Sequence, residues 1–216
     1  MSSTIKQPFQ RVLVLAPHTD DGELGCGGSM ARFVEEGKEV YYIAFSRADV
    51  AINKDQFPVE QPEIEMRAAM KVFGIPDDHI ILFDFPCRNF PQHRQQILQA
   101  LYDLNNQLSP DLVLMPTFGD LHQDHGVVAA EGMRIFKRTS VLCYEQPWNT
   151  VSLRTEAFIK LEQRHVDVKV EALDCYESQK DRKFLNGEFI RGWAKTRGVQ
   201  VGVEHAECFE VPRLIL

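Results

Sequence analysis

The feature that most constrains the fold is a regular alternation of short apolar runs with longer amphipathic segments. Residues 11–16 read RVLVLA, which is typical of a buried parallel strand. Similar apolar runs occupy residues 40–45, 80–83, 112–115 and 141–144. Segments with apolar side chains at helical spacing occupy residues 29–36, 63–73, 94–108 and 127–136. This order predicts an α/β fold with a doubly wound, mostly parallel sheet flanked by helices.

Three segments carry more detailed expectations. The glycine- and aspartate-rich residues 17–28 are interpreted as a turn, and their GCGGS run as close packing of a helix on a strand, because it lacks the GxGxxG spacing of a dinucleotide loop. In the second helix, Ile64, Ala68 and Val72 recur every four residues and are expected to face the core. Towards the C-terminal end we expect helices at 166–179 and 188–197 and a strand at 203–211.

Length and composition bound the architecture and the partners. A chain of 216 residues with 44% hydrophobic residues suits one domain, and we expect residues 1–216 to form it. The formal net charge of −7 disfavours a nucleic-acid partner, because phosphate backbones carry the same sign. No apolar run approaches the roughly 20 residues needed to span a bilayer, and residues 1–10 show no apolar core of a signal peptide. Five widely spaced cysteines without a CxxC pair indicate reduced thiols in a cytoplasmic protein, rather than a disulfide framework or a four-cysteine zinc site.

Two clusters of histidine and aspartate follow the first and the fourth predicted strands. One is PHTDD at residues 17–21 and the other is HQDH at residues 122–125. Because the carboxyl ends of parallel strands lie at one edge of a sheet, the two clusters are expected to face each other across a crevice. Together they contribute three histidines and three aspartates: His18, Asp20, Asp21, His122, Asp124 and His125.

These residue types meet the requirements of a hydrolytic zinc centre. Catalytic zinc takes three ligands from histidine and carboxylate and keeps one position for water. A separate carboxylate takes the proton of that water, and a further donor stabilises the oxyanion. Each cluster alone is more simply explained as a turn, a helix cap or polar surface. The pairing of the two clusters at the ends of two parallel strands is what indicates a site.

The longer motifs resemble those of a known family. PHTDDGELGCGG at residues 17–28 resembles the PHPDDEELGCGG signature of the LmbE-like, or PIG-L, family of zinc-dependent N-deacetylases. HQDH resembles the HPDH signature of the same family. Two later segments, KVEALDCYESQ at residues 169–179 and EHAECFEV at residues 204–211, are also similar to it, so the resemblance covers nearly the whole chain.

The resemblance implies a Rossmann-like fold and a set of roles for the two clusters. It implies one Zn²⁺ ion per chain with three ligands: His18, Asp21 and His125. Asp20 matches the general base of the family, and His122 matches the histidine that stabilises the oxyanion or protonates the leaving amine. Asp124 matches the carboxylate that orients the neighbouring histidine.

The chain also departs from the family pattern. The proline after the first histidine is Thr19, and the acid after the aspartate pair is Gly22. The loop after the second strand reads SRAD at residues 46–49 where the family often has Thr-x-Gly-Glu, so substrate choice is expected to differ. Candidate substrate contacts near the ligand edge are Arg67, Asp84, Arg88 and Tyr144. For any one of these residues, and for Trp148, a salt bridge or simple packing is the simpler interpretation.

The leading hypothesis is a zinc-dependent hydrolase that removes the acetyl group of an N-acetylated amino sugar, such as an N-acetylglucosamine conjugate, by attack of a metal-bound water. The expected partner is a small-molecule sugar, and because members of the family often assemble, a homo-oligomer stays open. An enzymatic alternative is hydrolysis of another bond, such as a phosphoester, for which two metals are expected. A non-enzymatic alternative is a nucleotide- or sugar-binding module on the same fold.

Overall fold

The computed structural model describes residues 9–215, so residues 1–10, the segment judged to lack a signal peptide, lie almost wholly outside it. The described part contains seven strands: β1 (Arg11–Ala16), β2 (Glu39–Ala44), β3 (Ile80–Leu82), β4 (Leu112–Pro116), β5 (Ser140–Tyr144), β6 (Ala157–Leu161) and β7 (His205–Arg213). Its six α-helices are α1 (Asp21–Glu35), α2 (Gln61–Phe73), α3 (Arg94–Leu108), α4 (Gln123–Ile135), α5 (Gln163–Asp174) and α6 (Gly187–Gln200). Among these helices, none is both long and apolar enough to cross a membrane.

All seven strands belong to one sheet in the order β3-β2-β1-β4-β5-β7-β6. Strands β1 to β5 pair in parallel, whereas β7 runs antiparallel to both β5 and β6. The mostly parallel α/β sheet predicted from the alternation is therefore confirmed. The chain moves outward from β1 to β3 and returns to place β4 beside β1, which makes the carboxyl ends of β1 and β4 the topological switch point.

Helices cover both faces of the sheet, which explains why β1 is apolar at every position after its first residue. Val12 and Val14 belong to a core formed with α1, α2, α5 and α6. Leu13 and Leu15 belong to a second core formed with α3 and α4, since alternate residues of a strand face opposite sides of the sheet. The polar turn that follows β1 therefore begins from a strand that is buried at every position after Arg11.

Helix α1 begins at Asp21, so the prediction of a turn through residue 28 was wrong. Glycines usually indicate a turn, but these glycines lie within α1, on both sides of a kink at Cys26 (φ −145°), and they allow the helix to pack closely on the sheet. A Cβ at Gly25 would lie 2.2 Å from the Tyr144 ring on β5, and one at Gly28 would lie 2.5 Å from Leu161 on β6. The close packing expected of the GCGGS run is therefore observed, and it brings the start of α1 directly over the end of β1.

The structure differs from the sequence analysis at two further places, helix α2 and strand β6. In α2, Ile64 is 54% exposed, because the helix turns Met66 and Met70 to the core and buries Glu65. That carboxylate is satisfied by hydrogen bonds from the backbone N–H and the hydroxyl of Ser178. Strand β6 was not predicted at all. It is a half-buried edge strand that pairs only with β7, so its sequence lacks the continuous apolar run of the central strands.

We predict that Gly25→Ala lowers the free energy of unfolding by about 1–3 kcal/mol, because the added methyl group overlaps the Tyr144 ring. Urea unfolding of the variant and the parent measures this difference. The matched control is Gly192→Ala in α6, where a Cβ meets no atom within 4 Å. That change should raise the stability by up to about 1 kcal/mol through helix propensity. Equal stability of the Gly25→Ala variant and the parent would contradict the packing argument.

Candidate active site

A cleft opens at the carboxyl ends of β1 and β4. The turn after β1 and the first turn of α4 bring five of the six cluster residues to its wall: His18, Asp20, Asp21, His122 and His125. Asp124 is fully buried behind them. Two motifs far apart in sequence therefore meet at the switch point of the sheet, as their positions after two parallel strands predicted.

One carboxylate oxygen, Oδ2 of Asp21, is the centre of this arrangement. It accepts the backbone N–H of His18 at 2.8 Å and lies 3.0 Å from His18 Nδ1. It also lies 3.2 Å from Nε2 of His125, which comes from α4. The other carboxylate oxygen, Oδ1, accepts a hydrogen bond from Gln146 Nε2 at 2.7 Å. Two imidazole nitrogens thus converge on one carboxylate at the base of the cleft.

Asp120 holds the outer nitrogen of His125, a contact that the sequence patterns did not reveal. Its Oδ2 lies 2.8 Å from His125 Nδ1, and its Oδ1 accepts the backbone N–H of His122 at 2.8 Å. The second contact is the ordinary turn-forming bond of an aspartate two residues before a helix cap, and that spacing was the available signal. Asp120 therefore sets both the start of α4 and the direction of the His125 ring.

Asp124 contacts the histidine of the other motif rather than a histidine of its own. Its Oδ2 lies 3.0 Å from His18 Nε2 and accepts the backbone N–H of Arg88 at 2.5 Å, while Oδ1 accepts that of Phe90 at 3.1 Å. With both oxygens occupied, the carboxylate links α4, the turn after β1 and the loop after β3. Within its own motif, only its backbone N–H bonds a histidine, Nδ1 of His122, at 3.2 Å.

The turn after β1 is also fixed from below by a buried carboxyl group. Glu23 is fully buried and contacts the hydroxyl groups of Tyr42 and Tyr176. Both hydroxyls also lie within hydrogen-bond distance of the Thr19 carbonyl oxygen, at 3.0 and 2.6 Å. Burial raises the pKa of Glu23 to about 8, although the two tyrosine hydrogen bonds oppose the shift. A protonated Glu23 can donate its one hydrogen to one of the two tyrosine hydroxyls, and that tyrosine can then donate its own hydrogen to the Thr19 carbonyl.

The electrostatics of the base of the cleft favour positive charge. Burial opposes the charged form of both ligand-type histidines, yet Asp21 and the other carboxylates outweigh it. They hold the pKa of His18 well above its usual value and raise that of His125 to about 9. Burial likewise opposes ionisation of Asp21, but the two histidines keep its pKa well below the usual value. Groups arranged in this way stabilise a proton or a metal cation between them.

Within the part of the chain that the structure describes, two groups of side chains have donor atoms close enough to share a metal ion. In the first, the donor atoms of His18, Asp21 and His125 all lie within 4.8 Å of one another. In the second, the same limit holds for His18, Cys87 and Asp124, so the two groups have a histidine in common. The first group is buried and matches the two-imidazole, one-carboxylate set found at catalytic zinc sites.

Asp20 and His122 line the cleft beside this group but take no part in it. Burial and the adjacent Asp21 raise the pKa of Asp20, and the Arg182 guanidinium, 3.6 Å from Oδ2, opposes that shift. Burial and the nearby cationic rings of His125 and His18 lower the pKa of His122. The site therefore offers a carboxylate with raised basicity and a neutral imidazole at the wall of the cleft.

Of the four predicted substrate contacts, only Arg88 lines the cleft. Arg67 lies elsewhere and pairs with Glu63 on its own helix at 3.0 Å. Asp84 is a largely exposed side chain 3.5 Å from Arg47. Tyr144 is buried, because the pleat of β5 turns its ring under Gly25 and its hydroxyl donates to the Leu15 carbonyl at 2.9 Å. The structure therefore does not bring these three residues to the wall of the cleft.

Part of the remaining wall of the cleft comes from loops that no motif identified. Trp148, interpreted as packing, lines the cleft and stacks on Phe184 with ring centroids 3.9 Å apart. Arg182 follows no recognisable pattern in sequence. Gln146 lies two residues beyond β5, and its place at the carboxyl end of a parallel strand was the only indication of a role. Side chains from α4, the β5 loop and the C-terminal region thus surround the same space.

Comparison with known proteins gives concordant results. The chain is 29% identical over 174 residues to an uncharacterized deacetylase, YaiS, of Escherichia coli K12, covering 77% of this chain and 90% of that protein. It is 24% identical to a diacetylchitobiose deacetylase of Thermococcus kodakarensis, covering 94% and 84% of the two chains. A crystal structure of a conserved protein from Thermus thermophilus superposes with a TM-score of 0.78 at 26% identity, over 95% of each chain. The family model PIG-L, GlcNAc-PI de-N-acetylase, matches residues 13–136, and this match over more than half of the chain shows that the chain belongs to the PIG-L family.

Proposed function

We propose that this chain is a metal-dependent N-deacetylase that hydrolyses the acetamide group of an N-acetylated amino sugar, such as an N-acetylglucosamine conjugate. The observation that carries the proposal is the Asp21 oxygen shared by His18 and His125 at the base of a cleft, with Asp20 beside it. Family membership and the diacetylchitobiose deacetylase among its relatives favour an acetylated sugar over other amides.

A single zinc ion fits the donor set. Two imidazoles and one carboxylate, in a buried place that favours positive charge, are the ligands that catalytic zinc takes while keeping a position open. His18 would bind through Nδ1, Asp21 through Oδ2 and His125 through Nε2, the atoms that converge in the structure. When bound, zinc would supply Lewis acidity, polarising the acetyl carbonyl and acidifying water. Asp124 and Asp120 would hold the outer nitrogens of His18 and His125, which fixes both rings.

Asp20 is the proposed general base. It lines the cleft one residue from Asp21, and its raised pKa brings its basicity closer to that of water made acidic by a cation. In the proposed reaction Asp20 takes a proton from the attacking water and afterwards returns it to the nitrogen of the departing amine. The C–N bond breaks and the products are acetate and the free amino sugar.

His122 is the proposed donor to the oxyanion. Its Nδ1 accepts the N–H of Asp124, so a neutral His122 carries its proton on Nε2. Its lowered pKa favours this neutral form, and the ring lies 4.7 Å from that of His125 at the cleft wall. An N–H held in this position can stabilise negative charge that develops on the carbonyl oxygen.

We expect protein purified without chelator to contain about one zinc per chain, as a mononuclear catalytic site requires. His125→Ala should lose most of it, because one of the three converging donors is removed. Elemental analysis of both proteins measures the content, and His79→Ala, in which a histidine bonded to the Val40 carbonyl is removed instead, is the control. A parent that takes up no zinc even on incubation would refute the metal site. A content near two would favour the phosphoester alternative.

Asp20→Asn should keep the zinc and lose activity by about 100-fold or more, because the amide cannot accept the water proton. Release of acetate from N,N′-diacetylchitobiose and from simpler N-acetylglucosaminides measures the rate. Asp84→Asn is the matched control, since that carboxylate lies outside the cleft beside Arg47. Full activity of the Asp20→Asn variant would exclude the role of general base.

Asp120→Asn should weaken zinc binding by about 10- to 100-fold, because the His125 ring loses the carboxylate that orients it. Competition with a chelator of known affinity measures the change. The Oδ1 contact to the His122 N–H can persist in the amide, so the fold of the α4 start should be retained. Unchanged zinc affinity would mean that His125 is held by its other neighbours alone.

A further inference from the structure

Arg88 occupies a turn position that normally suits glycine. The Asn89 N–H donates to the Pro86 carbonyl oxygen at 3.1 Å, which closes a four-residue turn with Arg88 at its third position. The φ angle of Arg88 is +66°, in the left-handed region, where any residue with a Cβ is strained. Strain of this kind at the wall of a cleft is commonly retained for function.

The contacts that maintain this turn involve only the backbone of Arg88. Its N–H donates to Asp124 Oδ2 at 2.5 Å, and its carbonyl oxygen accepts from Gln123 Nε2 at 3.2 Å. Glycine would make both bonds and would adopt the backbone angle without strain. The presence of an arginine side chain is therefore not explained by the fold of the loop.

Arg88 and Arg182 are the two arginines that line the cleft, and of these Arg88 is the one without a counter-charge among the described residues 9–215. Asp20 has Arg182 within 3.6 Å, and Asp21 lies against His18 and His125. Arg88 is exposed and makes no ion pair or side-chain hydrogen bond with any of the described residues. An unpaired arginine at the wall of the cleft is unexpected on a chain whose formal net charge is −7.

We propose that Arg88 binds an anionic group of the substrate. The N-acetylated sugar that is hydrolysed therefore carries a phosphate or a carboxylate as a further substituent. The guanidinium presents paired N–H donors that match the oxygens of either group. The backbone bond to Asp124, which also contacts His18, ties the position of this arginine to the base of the cleft. This inference rests on the proposed function and names the class of substrate for it.

The test compares three substrates that differ only in the anomeric substituent: N-acetylglucosamine 1-phosphate, carboxymethyl N-acetylglucosaminide and methyl N-acetylglucosaminide. The zinc-loaded full chain should prefer at least one anionic substrate over the methyl compound by about tenfold or more in kcat/KM. The phosphate and carboxylate arms show which anion is used. Equal kcat/KM for all three substrates in the parent would overturn the inference and leave the deacetylase proposal intact.

Two variants of Arg88 and one control assign the preference to this side chain. Arg88→Gln and Arg88→Gly should both lose the ratio between anionic and neutral substrates. Arg88→Gly should in addition unfold at the same or a higher urea concentration than the parent, because its turn is no longer strained. Arg138→Gln, an exposed residue in the turn between α4 and β5, makes the same change of net charge away from the cleft and should keep the ratio. A ratio that survives in the Arg88→Gln variant would overturn the inference.

Binding of the amine products separates this inference from the proposed reaction. Calorimetric titration with glucosamine 1-phosphate, carboxymethyl glucosaminide and methyl glucosaminide requires no turnover. One possible result is that no substrate is hydrolysed, whereas an anionic product binds about tenfold more tightly than the methyl compound and does so only when Arg88 is present. In that case the inference about Arg88 stands and the deacetylase proposal fails. If the anionic products bind no more tightly than the methyl compound, the inference is overturned.

Discussion

A single buried carboxylate oxygen, Oδ2 of Asp21, is the contact on which the rest of the site depends. Burial of an ionised carboxylate is costly unless hydrogen bonds and positive charge compensate for it. Here the compensation comes from the backbone and ring of His18 and from the ring of His125. Those two histidines follow different strands, so the contact forms only because β4 returns to lie beside β1. The chemistry of the cleft therefore depends directly on the strand order of the sheet.

The carboxyl groups around the site differ in pKa because their surroundings differ. Asp21 lies between two imidazoles and has a lowered pKa, whereas burial and Asp21 itself raise the pKa of Asp20. Glu23, enclosed by two tyrosine hydroxyls, has a pKa of about 8 and supports the turn from below. Three acidic residues that lie close together in sequence, Asp20, Asp21 and Glu23, therefore differ in how readily they are protonated. Such separation is what allows neighbouring carboxyl groups to take different parts in one reaction.

The local sequence pattern predicts an element correctly where the spacing of its own apolar residues determines which face is buried. Strand β1 and helix α3 have the bounds predicted from their apolar spacing. Where tertiary contacts decide, pattern was insufficient: β6 is held at an edge by β7, and α1 extends through glycines that only close packing explains. The same limit applies to the site. The six cluster residues follow from motifs, but the left-handed turn at Arg88 depends on a bond to Asp124, which is far along the chain. Asp120 contacts residues close to it in sequence, but an aspartate just before a helix is most simply interpreted as a turn residue.

The glycines of α1 carry a consequence for how such a protein can change over evolutionary time. Gly25 lies on the Tyr144 ring, and Asp21, one turn earlier on the same helix, contacts His125 across the cleft. Any side chain at position 25 would lift this end of the helix and separate Asp21 from its partner on α4. Amino-acid substitution is therefore restricted more severely at Gly25, which faces the sheet, than at several exposed loop positions of the cleft wall. New substrate ranges can arise by exchange of the loops, while the packing under α1 must be inherited unchanged.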